Sequence, residues 1–204
     1  MQKLHKDKKY GQQTTGGFTL VEVLVVVSTI AILSAIGGIS WIAFTEERRL
    51  SVAIEQVYLA MREAQRQALQ KKLTVQASFR EGEVDGQPVT QWAVHLASLG
   101  PDEAYWQNLD PAVRIVDPDI HPDDNNESTL YTYPSGINKG VRRIKFNSYG
   151  NPDGQIGRLT LASRNSDPTN PKRKLRCAIV SMLIGLIRTS SEQPKPDSKG
   201  RYCY

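Results

Sequence analysis

The chain has 204 residues, 39% of them hydrophobic and 23% charged, enough for one long helix and one domain with a real core. Its formal net charge of +5 sits at the front: four Lys and one Asp precede Gly17, and the 22 basic and 20 acidic residues after it nearly cancel. Composition alone therefore does not argue for nucleic acid.

Residues 1–17 read as a leader kept on the cytoplasmic face by Lys3, Lys6, Lys8 and Lys9. A secretory signal places its processing site after the apolar stretch, which is then discarded; here the small residue, Gly17, comes first. Cleavage between Gly17 and Phe18 would leave the apolar stretch on the mature protein with a free amine at Phe18. From Phe18 to Phe44 run 27 residues with one charge, Glu22, against the roughly 20 needed to cross a bilayer. The later apolar run, Cys177 to Ile187, is 11 residues and reads as buried strand. Orientation follows from the lysines, so everything after Trp41 is expected outside the cytoplasmic membrane. Glu22 lies about 6 Å from the helix start at 1.5 Å per residue, close enough for its carboxylate to reach the headgroups.

After Phe44 the sequence predicts an amphipathic continuation over 45–72. Leu50, Ile54, Val57, Met61, Ala64 and Ala68 recur at spacings of three and four, opposite Glu55, Arg62, Glu63 and Arg66. A helix from Phe18 to about Lys72 would be roughly 80 Å long, with the paired glycines Gly37-Gly38 its weak point. Period-two alternation then takes over: Leu73, Val75, Ala77 and Phe79, a turn over Gly82–Gly86, and Trp92, Val94 and Leu96 predict a hairpin. The polar stretch from Gly100 to Asn138 reads as a long loop with one strand candidate, Val113–Val116. Strands are expected over Val141–Phe146 and Gln155–Ala162 around the turn Asn151-Pro152-Asp153-Gly154. A last pair, Arg176–Ser181 and Leu186–Thr189, bends at Gly185, and residues 190–204 have the composition of a flexible tail.

The segment Gly17-Phe18-Thr19-Leu20-Val21-Glu22, with its apolar run, resembles the class III leader of type IV pilins and type II secretion pseudopilins. Farther on, Phe146 with Gly150, Arg158-Leu159-Thr160-Leu161, and Cys177-Ala178-Ile179-Val180-Ser181 with Gly185 and Arg188 resemble the head of the GspH/FimT group of minor pilins and pseudopilins. The resemblance covers the helix and the last 60 residues or so. It implies an α+β fold: a long N-terminal helix, membrane half (18–44) plus amphipathic half (45–72), packed on a two-sheet antiparallel head over 73–189. It also implies that prepilin peptidase cuts after Gly17 and methylates Phe18. Glu22 would then pair with the Phe18 amine of a neighbouring subunit, where both charges are desolvated and need each other. The partners implied are other pilins or pseudopilins, the peptidase, an inner-membrane assembly platform and membrane lipid; no cofactor is implied. Many pilins carry a kinking Pro where this chain has Ile39.

Cys177 and Cys203 both come after the membrane stretch, and a pair in an oxidising compartment is expected to bridge; the other reading is two free thiols. Asp117, Asp119, Asp123, Asp124 and Asn125 lack EF-hand spacing and read first as a solvated acidic loop rather than a Ca²⁺ site. His95, His121, Ser181 and Cys177 show no triad or ligand spacing, so no enzyme is expected. Basic residues gather in the last third: Arg142-Arg143-Ile144-Lys145, Lys172-Arg173-Lys174 with Arg176, then Lys195, Lys199 and Arg201 beside Tyr202 and Tyr204. They read either as a soluble rim or as a phosphate-tracking surface. Some FimT-like minor pilins bind DNA through a C-terminal Gly-Arg-x-Arg element. Gly200-Arg201-Tyr202-Cys203 supplies its first half only, making Arg173, Lys174, Arg176 and Arg201 the candidate contacts to extracellular DNA. Two readings result, a structural assembly subunit and a DNA-capturing tip subunit.

Overall fold

The computed structural model describes residues 17–116, 128–154, 156–167, 170, 173–181 and 184–204, with the side chains of 36–40 excepted. Leader residues 1–16, Lys172, His121 and the aspartates of the acidic loop lie outside the described residues. The chain divides into two compact units that meet at Ile42 and Ala43, and each is described by itself.

Helix α1 spans Leu20–Lys71. Thr19 starts it: its hydroxyl accepts a hydrogen bond from Glu22 N at 3.2 Å, satisfying one of the orphan donors of the first turn. Thr19-x-x-Glu22 also has the spacing of a capping box. The helix ends where Lys72 turns to φ 56°, a left-handed position that stops propagation.

In the second unit, α1 buries Leu50, Ala53, Ile54, Val57, Ala60, Met61, Ala64 and Ala68, the face that the three-and-four spacing marked. Small residues at half of these positions let strands approach the helix closely. The fold is α+β, this helix followed by antiparallel sheets. The first sheet has the order β3-β2-β1-β6-β5, from β1 (Val75–Val84), β2 (Gln87–Leu96), β3 (Gln107–Asn108), β5 (Tyr131–Thr132) and β6 (Arg142–Phe146). The second has the order β4-β7-β8-β9, from β4 (Val113–Ile115), β7 (Gly157–Ser163), β8 (Leu175–Ser181) and β9 (Leu186–Ser191). Val75, Ala77, Phe79, Ile144 and Phe146 of the first sheet join Leu159, Leu161, Ala178 and Val180 of the second in one core with the helix. A smaller cluster of Val116, Ala162, Leu175, Cys177 and Cys203 fills the other side of the second sheet.

Several boundaries differ from expectation. The β1–β2 pairing runs through to Val84↔Gln87, so the turn is only Asp85-Gly86, both at positive φ (52° and 76°). That matches the two-residue hairpin turn whose twist suits the flanking strands. Leu73 precedes the strand and is exposed. Between Gly100 and Asn138 a 3₁₀ turn, β3 and β5 accompany the expected β4. The turn Asn151–Gly154 joins strands of different sheets rather than a hairpin, since β6 lies in the first and β7 in the second. Helix residue Gln65 secures that crossing: its Nε2 donates to Gly150 O at 2.8 Å and Gly185 O at 3.2 Å. Gly185 has φ 72°, and a Cβ there would lie 2.9 Å from Gln65 Nε2.

The outer face of the first sheet is partly covered by the loop after β2. Arg80 stacks on Trp106 at 4.0 Å, and the Trp106 indole donates to Pro101 O at 2.9 Å. Beneath lie Gln76, Ser78 and His95, all buried.

Candidate functional site

At the head of the first unit, Gly17, Phe18 and the helix residues from Leu20 to Ala35 are all exposed. Phe18 is 81% exposed. A helix apolar around its whole circumference is stable only where lipid or other helices cover it. The hydroxyls inside the run are already satisfied: Ser28 Oγ donates to Leu24 O at 2.8 Å, and Thr29 Oγ1 to Val26 O at 2.8 Å. Back-bonding of this kind is how hydroxyls are accommodated where water is absent. Glu22 contrasts with them. It sits in the first turn, where the helix dipole favours an anion, yet among the described residues its carboxylate has no hydrogen-bond or ion-pair partner. Among the described residues no helix is long and apolar enough to cross a membrane; the expected span of 18–44 includes 36–40, whose side chains lie outside them.

At the other end of the chain, Cys177 and Cys203 are disulfide-bonded, with Cα atoms 6.2 Å apart. The bond fastens residues 192–204 against β8 and β9, and Gln193 N donates to Tyr202 O at 2.7 Å. Arg201 is held by Asp197 through both Nε (2.6 Å) and NH2. The Arg201 guanidinium holds the Asp197 carboxyl down to about 2.

The four cations proposed to touch DNA do not form one surface of free charges. Arg173 is buried. Lys174 lies 3.4 Å from Glu192, and Arg176 bonds Glu192 at 2.7 Å and Glu47 of α1 at 2.9 Å. Glu192 thus gathers Lys174 and Arg176, while Arg201 stands apart with Asp197. Arg176 ties the helix to the second sheet, a role for which sequence offers no signal.

Two further groupings were not evident from sequence. In the first, His95 Nδ1 lies 3.0 Å from Leu96 O, which can only accept, so Nδ1 carries the proton and Nε2 accepts from Ser78 Oγ at 3.0 Å. Burial pushes the His95 imidazole below its usual range. Ser78 is fully buried, so this pair has no open approach for a substrate and serves as a polar core. In the second, Arg143 lies against the rings of Tyr131 (4.6 Å) and Tyr133 (4.4 Å), in an open cleft also lined by Lys145, Asp153 and Gly154. The run Arg142-Arg143-Ile144-Lys145 signals charge there, but Tyr131 comes from a two-residue strand too short to be read and Tyr133 from just beyond it. Among the described residues no group of three or more His, Cys, Asp or Glu is placed to hold a metal.

No protein-family model, curated protein or solved structure matches this chain.

Proposed function

We propose that the chain is a minor pilin or pseudopilin of the GspH/FimT type, a structural subunit of a type II secretion pseudopilus or type IV pilus. In this reading prepilin peptidase removes residues 1–17 and methylates Phe18. Residues 18–44 hold the subunit in the inner membrane with the head outside. During assembly the helix then leaves lipid for neighbouring helices on the assembly platform. The observation that carries it is the carboxylate of Glu22, without a partner among the described residues, in the first turn of an exposed apolar helix. An acid in lipid costs roughly 2.5–3.5 kcal/mol at the bilayer centre and less near an interface. A free amine on Phe18 of an adjacent subunit supplies the missing cation. Trp41 and Phe44, at the far end of the run, suit the aromatic belt of the opposite interface.

Mass spectrometry of the protein from its native membranes tests the reading. The expected terminus is Phe18 carrying one methyl group, and an intact Met1 would sink it. DNA capture has less support, because Lys174, Arg176 and Arg201 already have carboxylate partners and Arg173 is buried.

A further inference from the structure

The cleft beside β5 and β6 has the construction of a ligand site. Tyr131 pairs with Arg143 across the two strands, and the rings of Tyr131 and Tyr133 meet edge to face at 6.0 Å. Both rings contact Arg143, and Arg143 NH1 donates to the Tyr133 hydroxyl at 2.8 Å. The ring contacts and that bond fix the plane of the guanidinium, while among the described residues its other N–H groups have no partner. Lys145, two residues on, projects from the same face of the strand and lines the same cleft of about 450 Å³. Among the described residues neither cation forms an ion pair with a carboxylate. Two like charges side by side are unfavourable, and the Asp153 carboxylate lining the same cleft forms no ion pair with either among the described residues, whereas Arg164 and Arg201 are paired with Glu81 and Asp197.

We propose that this cleft binds an acidic sugar unit of an anionic polysaccharide. A planar carboxylate takes the fork of Arg143 and the point charge of Lys145. Tyr131, 41% exposed, offers apolar ring surface to the C–H face of the sugar. Asp153 accepts hydrogen bonds from hydroxyls, and its charge disfavours a polyphosphate, which has no proton to donate to it. The ligand is thus a hydroxylated monoanion rather than a bare polyphosphate chain. The site is independent of the filament reading and of the C-terminal arginines.

The test titrates the full chain in detergent micelles with an oligogalacturonate. A neutral oligosaccharide of equal length, inorganic polyphosphate and single-stranded DNA are run alongside. Binding is expected for the oligogalacturonate only. Arg143→Lys, which keeps charge but loses the fork, should weaken it at least about tenfold, and Lys145→Ala roughly three- to tenfold. Arg188→Ala, outside the cleft, should leave it unchanged. Should Arg143→Lys fail to fold, Lys145→Ala, whose ammonium has no partner among the described residues, decides alone. Absence of binding, unchanged affinity in Lys145→Ala, or polyphosphate or DNA bound as tightly as the uronate would each overturn the proposal.

Discussion

The disulfide offers a worked test of how the C-terminal tail contributes to the head. Cys177 and Cys203 are 26 residues apart, and closing a loop of that size removes about 3.5 kcal/mol of unfolded-state entropy in the chain-entropy model. In the folded protein Cys203 lies fully buried with Val116, Ala162 and Leu175, so reduction leaves its packing in place and the loss comes from the unfolded side. For the compact unit Ala43–Tyr204 the melting temperature should fall by roughly 7–14 °C, at 2–4 °C per kcal/mol for a domain of this size. Thermal and urea unfolding with and without reductant, tracked by the fluorescence of Trp92 and Trp106, measure the loss as a shift of both midpoints. Equal midpoints in the two states would refute the entropic reasoning.

Four residues elsewhere give further expectations. Gln65→Leu strands the carbonyls of buried Gly150 and Gly185 and should cost about 2 kcal/mol in the same urea assay. His95 is held neutral by burial, with the Leu96 and Leu99 backbone and Asp102 only partly opposing. The unfolded chain therefore binds more protons below the ordinary imidazole value of 6.5, and stability should drop as pH falls through that region. A pH series of melting temperatures that stays flat from 7 to 5 would contradict it. Gly17→Ala should leave unprocessed precursor on an immunoblot. Glu22→Ala should insert normally yet fail to enter filaments; normal incorporation would make the charge pairing dispensable.

What the sequence revealed depends on how locally each feature is encoded. The buried face of α1 was legible because Leu50, Ile54, Val57, Met61, Ala64 and Ala68 repeat every three or four residues within one element. The β1–β2 hairpin was legible from its alternation, though Gly82 suggested too early a turn. Strands β3 and β5, two residues each, offer no period to detect. Whether Asn151–Gly154 closes a hairpin or crosses between sheets is decided by Gln65, 85 positions from Gly150. At the candidate sites, residue types were readable and partners were not. Glu22 and the two cysteines could be picked out, while Tyr131 and Tyr133 around Arg143 could not.

Arg176 carries a charge that is plain in the sequence and a partner that is not. Beside Lys174 it resembles a phosphate contact, yet its partner Glu47 lies 129 positions away on the helix. The Arg176 side chain is 13% exposed, against 22% for Glu192 and 48% for Glu47. An arginine this buried cannot turn to a phosphate without leaving Glu47 with no cation and the mostly buried Glu192 with only the more distant Lys174. Arg176→Ala should therefore destabilise the unit by about 2 kcal/mol. Glu47→Ala, which removes the more solvated partner, should cost no more than about 1 kcal/mol. The reverse order in urea unfolding would show that Arg176 is not the joint between helix and sheet. Any loss of DNA binding in an Arg176 variant then has two causes to separate. Lys174→Ala separates them: Lys174 is 54% exposed, so its removal should leave stability within about 0.5 kcal/mol of the parent while still deleting a phosphate contact, if one exists.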